Sequence, residues 1–191
     1  LDRHLYEQER YNSGGDMRVL DLGQNMQPAA VPGMVLVPPP TTNADKLEEA
    51  RYLFLPVTDY LTVPGIQAST RVLVSKVQLI SSGSATNGQF VGVDRFDLMN
   101  VAYWREDYGS ESLGGLMNLL ADDPAAVLVE RGYAGRNGLR IGDKMTVRMN
   151  DLDRSVDVPF IVAGFISLFP TIYPKDGPFI VGNLDYVFDM Q

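Results

Sequence analysis

With 191 residues, 45% of them hydrophobic and 21% charged, the chain has the length and composition of one sizeable globular unit, which excludes a disordered tail and a fibrous repeat. A formal charge of −8, with no run of Lys or Arg to set against it, repels phosphate backbones and excludes nucleic acid as a partner. The absence of cysteine excludes a disulfide framework, a thiolate nucleophile and every Cys-based metal site.

In chain order, Leu1 to Tyr11 predicts a short polar helix ended by Ser13-Gly14-Gly15, and Met17 to Leu22 alternates like a half-buried strand. Residues 24–42 carry five prolines and read as a long extended loop. Asn43 suits an N-cap for a helix from Ala44 to Tyr52, and Thr58 to Leu61 suits a helical turn that Val63-Pro64-Gly65-Ile66 breaks. Thr70 to Ile80 predicts a long strand, Ser81 to Gly88 a polar hairpin loop, and Gln89 to Val93 the antiparallel partner. A helix is expected at Arg95 to Asn100. Leu113, Leu116, Met117 and Leu120 recur at helical spacing after Ser112, and Asp122-Asp123-Pro124 ends that helix. Ala126 to Val129 reads as a buried strand. Tyr133 to Arg136 is a helical turn closed by Asn137-Gly138, Lys144 to Met149 pairs with Val156 to Ile166 around Asn150-Asp151, Phe179 to Val181 is a last strand, and Asp185 to Phe188 a last turn. No internal repeat is visible.

Two uncharged stretches, 23–44 and 158–174, are interrupted by prolines and fall short as bilayer spans. The polar start, Leu1 to Arg10, is no signal peptide, so the targeting segment of an exported protein would lie outside this sequence.

The chemistry-bearing residues point away from catalysis. The single histidine, His4, sits on a polar terminal helix, where a Ser-His or His-metal mechanism has no support. Asp151, Asp153, Ser155 and Asp157 alternate like the start of a calcium loop, yet Val156 stands where the sharp turn needs Gly and Val162 where a bidentate Glu is needed. A polar β-turn is expected there. Glu106-Asp107 and Asp122-Asp123 would serve a glycoside hydrolase only if they faced each other across a cleft. Ser81 to Ala85 lacks the Lys-Ser/Thr of a phosphate-binding loop, and Gly14-Gly15 precedes a strand pattern where a dinucleotide site needs a helix. No cofactor or metal is expected, and no enzyme activity.

What remains is surface. Tyr103, Trp104 and Tyr108 form an aromatic cluster, and Leu168-Phe169-Pro170-Thr171-Ile172-Tyr173-Pro174 is too apolar for an idle loop. Exposed, this loop would be a docking site; buried, it would be a seam. Leu168, Phe169, Ile172, Tyr173, Tyr103 and Trp104 are therefore the candidate partner contacts.

Several small motifs recur in order: Val63-Pro64-Gly65-Ile66 before a long strand; Gly92-Val93-Asp94; Val127-Leu128-Val129; Leu139-Arg140-Ile141-Gly142-Asp143-Lys144; Phe160-Ile161-Val162-Ala163-Gly164-Phe165; Asp176-Gly177-Pro178-Phe179; and Gly182-Asn183-Leu184-Asp185. Together they resemble the extracytoplasmic domain of ABC-transporter permeases of the MacB/FtsX-like type, over most of the chain from Asp59 onward and more loosely over Leu1 to Leu22. The resemblance implies an α+β fold: a mixed α/β porter-like lobe (1–95 and 178–191) with a smaller β-rich lobe (96–177) inserted, and the proline-rich loop 24–42 apart. It also implies a periplasmic or extracellular place between two transmembrane helices, adjacent termini, and as partners the permease's own transmembrane helices, a separate cytoplasmic ATPase, a second permease copy and an external substrate or protein. A stand-alone secreted ligand-binding module and a carboxylate-based hydrolase are the competing readings.

Overall fold

The computed structural model describes residues 2–19, 57–81, 83–151 and 154–190. Six strands, β1 (Val72–Ser81), β2 (Ser84–Val93), β3 (Ala126–Glu130), β4 (Lys144–Asp151), β5 (Arg154–Ile166) and β6 (Phe179–Asn183), close a barrel in the order β1-β2-β6-β3-β5-β4. The helices are α1 (Asp2–Ser13), α2 (Val57–Tyr60), α3 (Leu98–Val101), α4 (Leu113–Asp122), α5 (Arg131–Asn137) and α6 (Leu184–Met190), with 3₁₀ turns at Glu106–Tyr108 and Pro174–Asp176. The fold is α+β.

Strand pairing reveals an order that the one-dimensional pattern hides. A hairpin (β1–β2), a crossover, a strand (β3) and a helix (α5) are followed by a second hairpin (β4–β5), crossover, strand (β6) and helix (α6). The junction strands pair antiparallel through Val127↔Gly182, Leu128↔Val181 and Val129↔Ile180. Exchanging the two halves maps the first of these pairs onto the third and leaves Leu128↔Val181 in place. On the opposite wall the same exchange maps Gln78↔Arg148 onto Ile80↔Thr146 and fixes Leu79↔Val147. The two parallel pairings, β2 with β6 and β3 with β5, also correspond, except for a bulge between Val127 and Leu128 in the second. The barrel thus has an approximate internal two-fold axis, and the sequence echoes it weakly: each junction strand is followed at the same spacing by a tyrosine, Tyr133 after Glu130 and Tyr186 after Asn183.

The strand pairing runs across the expected division into lobes. The pairings β1–β4 and β3–β6 cross the boundaries at 95/96 and 177/178, so strands from both segments share one barrel. The physical reason is edge closure: the three strands of either half leave open edges, and each half covers those of the other.

The strands bury two layers. Val77, Leu79, Phe90, Val127, Val129, Val147, Phe160 and Ile180 fill the interior, and Tyr133 of α5 and Val187 of α6 pack into the same cluster. Outside the wall, Leu113, Leu116, Met117 and Leu120 of α4 lie against Val91, Leu128, Ile166 and Val181. The helix starts where expected, since Ser112 Oγ accepts the Gly115 N–H at 3.1 Å. Its far end is tied to β6 by the nearly buried Asn183, whose amide donates to the Leu120 and Pro124 carbonyls at 2.8 and 2.9 Å.

Local expectations fare unevenly. In place of the predicted hairpin loop at Ser81 to Gly88, strand pairing continues to Ser81↔Ser84 with Gly83 at φ +79°, because Ser84 to Asn87 pair with β1 as the largely exposed end of β2. Met17 to Val19 form no strand; the rest of that expected strand, the loop 24–42 and the helix 44–52 lie outside the described residues. So do Leu1 and Gln191, on which the expected meeting of termini depends. Helix α3 is shorter than the predicted Arg95 to Asn100 and displaced toward Val101. The would-be calcium loop is the β4–β5 hairpin, where Asp157 takes a two-point bond from Arg148 across the strands at 2.7 and 2.8 Å.

Leu128→Ala should cost about 2–5 kcal/mol, the usual loss for a buried leucine, because Leu128 is 1% exposed on the symmetry axis. Ile141→Ala, at a side chain 68% exposed, should stay within about 0.5 kcal/mol. Urea denaturation of both variants checks the contrast.

Candidate interaction surface

The aromatic cluster and the apolar loop come together at one corner, and what brings them together is α1. From its last turns, the Tyr11 carbonyl accepts the Thr171 N–H at 2.8 Å and the Tyr11 hydroxyl donates to the Ile172 carbonyl. The Tyr173 hydroxyl bonds Asn12. Beyond the helix end the Gly14 carbonyl accepts the Tyr103 N–H at 2.8 Å. Gly14 lies at φ +80°, and a Cβ there would sit 2.9 Å from the Thr171 methyl; at Gly15 it would sit 2.9 Å from the Val101 carbonyl oxygen. The Gly-Gly pair that ends the helix is thus also what lets it approach both loops.

Tyr11 is the centre of the corner. Its ring meets Tyr108 and Tyr173 edge-on, both at 5.6 Å between centroids. Trp104 in turn stands edge-on to Tyr108 at 5.4 Å and to Phe169 at 6.4 Å. The Tyr108 carbonyl accepts the N–H groups of Ser167 and Leu168 at 2.7 and 3.2 Å, which stitches the first crossover to the second. Of the six candidate contacts, Phe169 and Ile172 are buried at 4% and 2% exposure and form the floor of the corner. Leu168, Tyr173, Tyr103 and Trp104 are half-buried along its rim. The loop 168–174 is therefore largely a seam.

Beside the rim runs an open groove of about 450 Å³ lined by Glu7, Tyr103, Trp104, Arg105, Glu106 and Asp107. Arg105 bridges it, bonding Glu7 at 3.0 Å and Asp107 through two nitrogens at 2.9 Å. The Asp107 hydrogen bond, then its charge, raises the Arg105 guanidinium above its ordinary value. Asp122 and Asp123 do not line this groove, and Asp123 instead accepts the Ala125 N–H at 2.8 Å. The two acidic pairs do not line this groove together.

Sequence reasoning missed Tyr11, Glu7 and Arg105. Tyr11 stood in a helix that reads as polar throughout, and no local pattern announces that its ring meets residues roughly a hundred and more positions away.

No protein-family model matches the sequence, and no curated protein matches it. Solved structures do. The extracellular domain of the noncanonical ABC-type transporter YknZ from Gram-positive bacteria is similar at 12% identity and a TM-score of 0.45, over 70% of this chain and 63% of that one. The periplasmic region of MacB from Actinobacillus actinomycetemcomitans is similar at 15% identity and a TM-score of 0.41, over 70% and 55%. A domain of a putative permease from Porphyromonas gingivalis follows at 13% and 0.41, over 65% and 48%. The matched part spans less than two thirds of each of these chains.

Burial, followed by the neighbouring Tyr108 and Tyr173, pushes the Tyr11 hydroxyl up from 10.0 to about 12. A pKa raised in the folded state contributes stability that is complete below the unfolded value and fades as pH rises through the folded one. The stability difference between the native chain and Tyr11→Phe should therefore be constant up to about pH 10 and shrink between about pH 10 and 12. Urea midpoints of the two proteins across that range measure it.

Proposed function

We propose that the chain is the extracytoplasmic domain of an ABC-transporter permease, without catalysis of its own, which couples membrane movements driven by a separate cytoplasmic ATPase to a substrate or protein outside. The observation that carries this reading is where the family-like motifs fall: at the joints of the barrel and in two of its paired strands. Val63 to Ile66 lead toward β1 with Gly65 at φ +99°, and Gly142 at φ +91° turns the chain into β4. Gly92-Val93-Asp94 ends β2, and Gly182-Asn183-Leu184-Asp185 converts β6 into α6. Val127 to Val129 and Phe160 to Phe165 lie in the paired strands β3 and β5. No helix among the described residues is long and apolar enough to cross a membrane. In this reading the permease's own transmembrane helices anchor the domain, a second permease copy stands beside it, and the rim of Tyr103, Trp104, Leu168 and Tyr173 meets the external partner over the floor of Phe169 and Ile172.

A secreted ligand-binding module is the second reading, and the open groove beside Trp104 is the observation in its favour.

The sequence has no cysteine, so Ile141→Cys places one exposed thiol in it. In intact cells producing the full-length protein, a membrane-impermeant maleimide should label this variant and not its parent, with the labelled protein sedimenting with membranes. Labelling only after lysis would sink both readings. Labelled protein released into the medium would favour the secreted module.

A further inference from the structure

We infer that the opening stretch of β1 is a self-complementary strand edge, through which two copies of this domain pair antiparallel about Leu73. β1 is flanked on both sides over only part of its length. Its whole span pairs with β2, from Val72↔Val93 to Ser81↔Ser84, but β4 reaches it only from Val77↔Met149 to Ile80↔Thr146. Beside residues 72–75 no described residue forms a second pairing.

Backbone polarity decides which groups lie bare. The Gln89 N–H is spent on the Pro178 carbonyl at 2.9 Å, across the far edge of β2, so by alternation Phe90 and Gly92 turn to β1 and bond their partners Ser75 and Leu73. The Asp94 N–H, which donates to the Arg71 carbonyl at 3.4 Å, keeps the same phase. The N–H and C=O groups of Val72 and Val74 therefore point away from β2, to the side that β4 leaves open. Natural edges are blunted by charge, proline or a bulge. Val72-Leu73-Val74-Ser75 has none of these: it is uncharged, and its register with β2 runs without a shift. Val72 and Val74 are 44% and 38% exposed, on the face opposite to Val77 and Leu79, which fill the barrel.

The sequence itself names the occupant. About Leu73 it reads alike in both directions, as Val-Leu-Val. An antiparallel copy centred there sets each Val72 against Val74 of the other copy, gathers the exposed valines of both on one face, and closes hydrogen bonds from the groups that lie bare. Lys76 then faces Thr70 and Arg71 faces Ser75, so no like charges oppose each other. Centring the pair on Val74 would instead set Lys76 against Val72. So short an edge buries far less than the roughly 1,200 Å² of a stable interface, and the contact suits domains held side by side in one membrane, where effective concentration is high. In that respect the inference rests on the transporter reading, and it names where the second permease copy touches.

The test is disulfide trapping in membranes of cells producing the full-length protein, with the introduced cysteine as its only one. Leu73→Cys should be trapped as a dimer of the chain under mild oxidant, because residues opposed at a non-hydrogen-bonded site lie about 4.5 Å apart between Cα atoms. Lys76→Cys is more exposed, but in this register it stands about 20 Å from its counterpart and should be trapped about tenfold less. Val74→Pro removes an N–H that only the open edge uses, so it should leave Tm nearly unchanged and cut trapping through Leu73→Cys about tenfold. If that variant does not fold, Val74→Lys, an outward charge on the same edge, takes its place. Equal trapping at positions 73 and 76, trapping that the edge variant does not lower, a bond from Leu73→Cys to a polypeptide of another mass, or no trapped dimer would overturn the inference. Surface labelling of Ile141→Cys decides the transporter reading separately.

Discussion

The antiparallel meeting of β3 and β6 at Leu128↔Val181 is the contact on which the other arrangements lean. Each of these strands has its second edge taken by a parallel neighbour, β5 for β3 and β2 for β6. Their pairing therefore joins two three-stranded halves into one wall, and the pairing of β1 with β4 closes the ring. Both faces of β3 are buried, with Val127 and Val129 inside the barrel and Ala126 and Leu128 under α4. This is why the strand reads as an uninterrupted apolar run and not as an alternating one.

Much of the local structure was legible. Ser112 and the spacing of Leu113, Leu116, Met117 and Leu120 announced α4, because a cap and a periodic face are short-range signals. Asn137-Gly138 announced the end of α5, where Gly138 takes φ +64°. The closed ring was not legible, since strand partners are chosen by surfaces far apart in the chain. The two lobes were implied by the family resemblance and not by any local pattern, and the pairings of β1 with β4 and of β3 with β6 run across both of their boundaries.

The aromatic corner divides in the same way. Tyr103, Trp104 and the loop from Leu168 to Tyr173 stood out through composition, as apolar side chains in segments with loop signals. That they meet, and that Phe169 and Ile172 lie beneath and not outside, depends on Tyr11, whose role is set wholly by tertiary contacts. The charged groove beside them is likewise a product of assembly: Glu7 and Asp107 are brought to one guanidinium from a helix and a loop that are remote in sequence.

The two-fold organisation also dictates an order of assembly. Through β1 and β2 the chain can form a local hairpin, but β3 has no partner until β5 and β6 have been made, and β1 has none on its other edge until β4 arrives. During synthesis the first half of the barrel must therefore wait with open strand edges and an unfilled interior, the state most prone to pairing with the wrong chain. Such a high contact order places the slow step of folding at closure of the ring, long after the helices and hairpins can form.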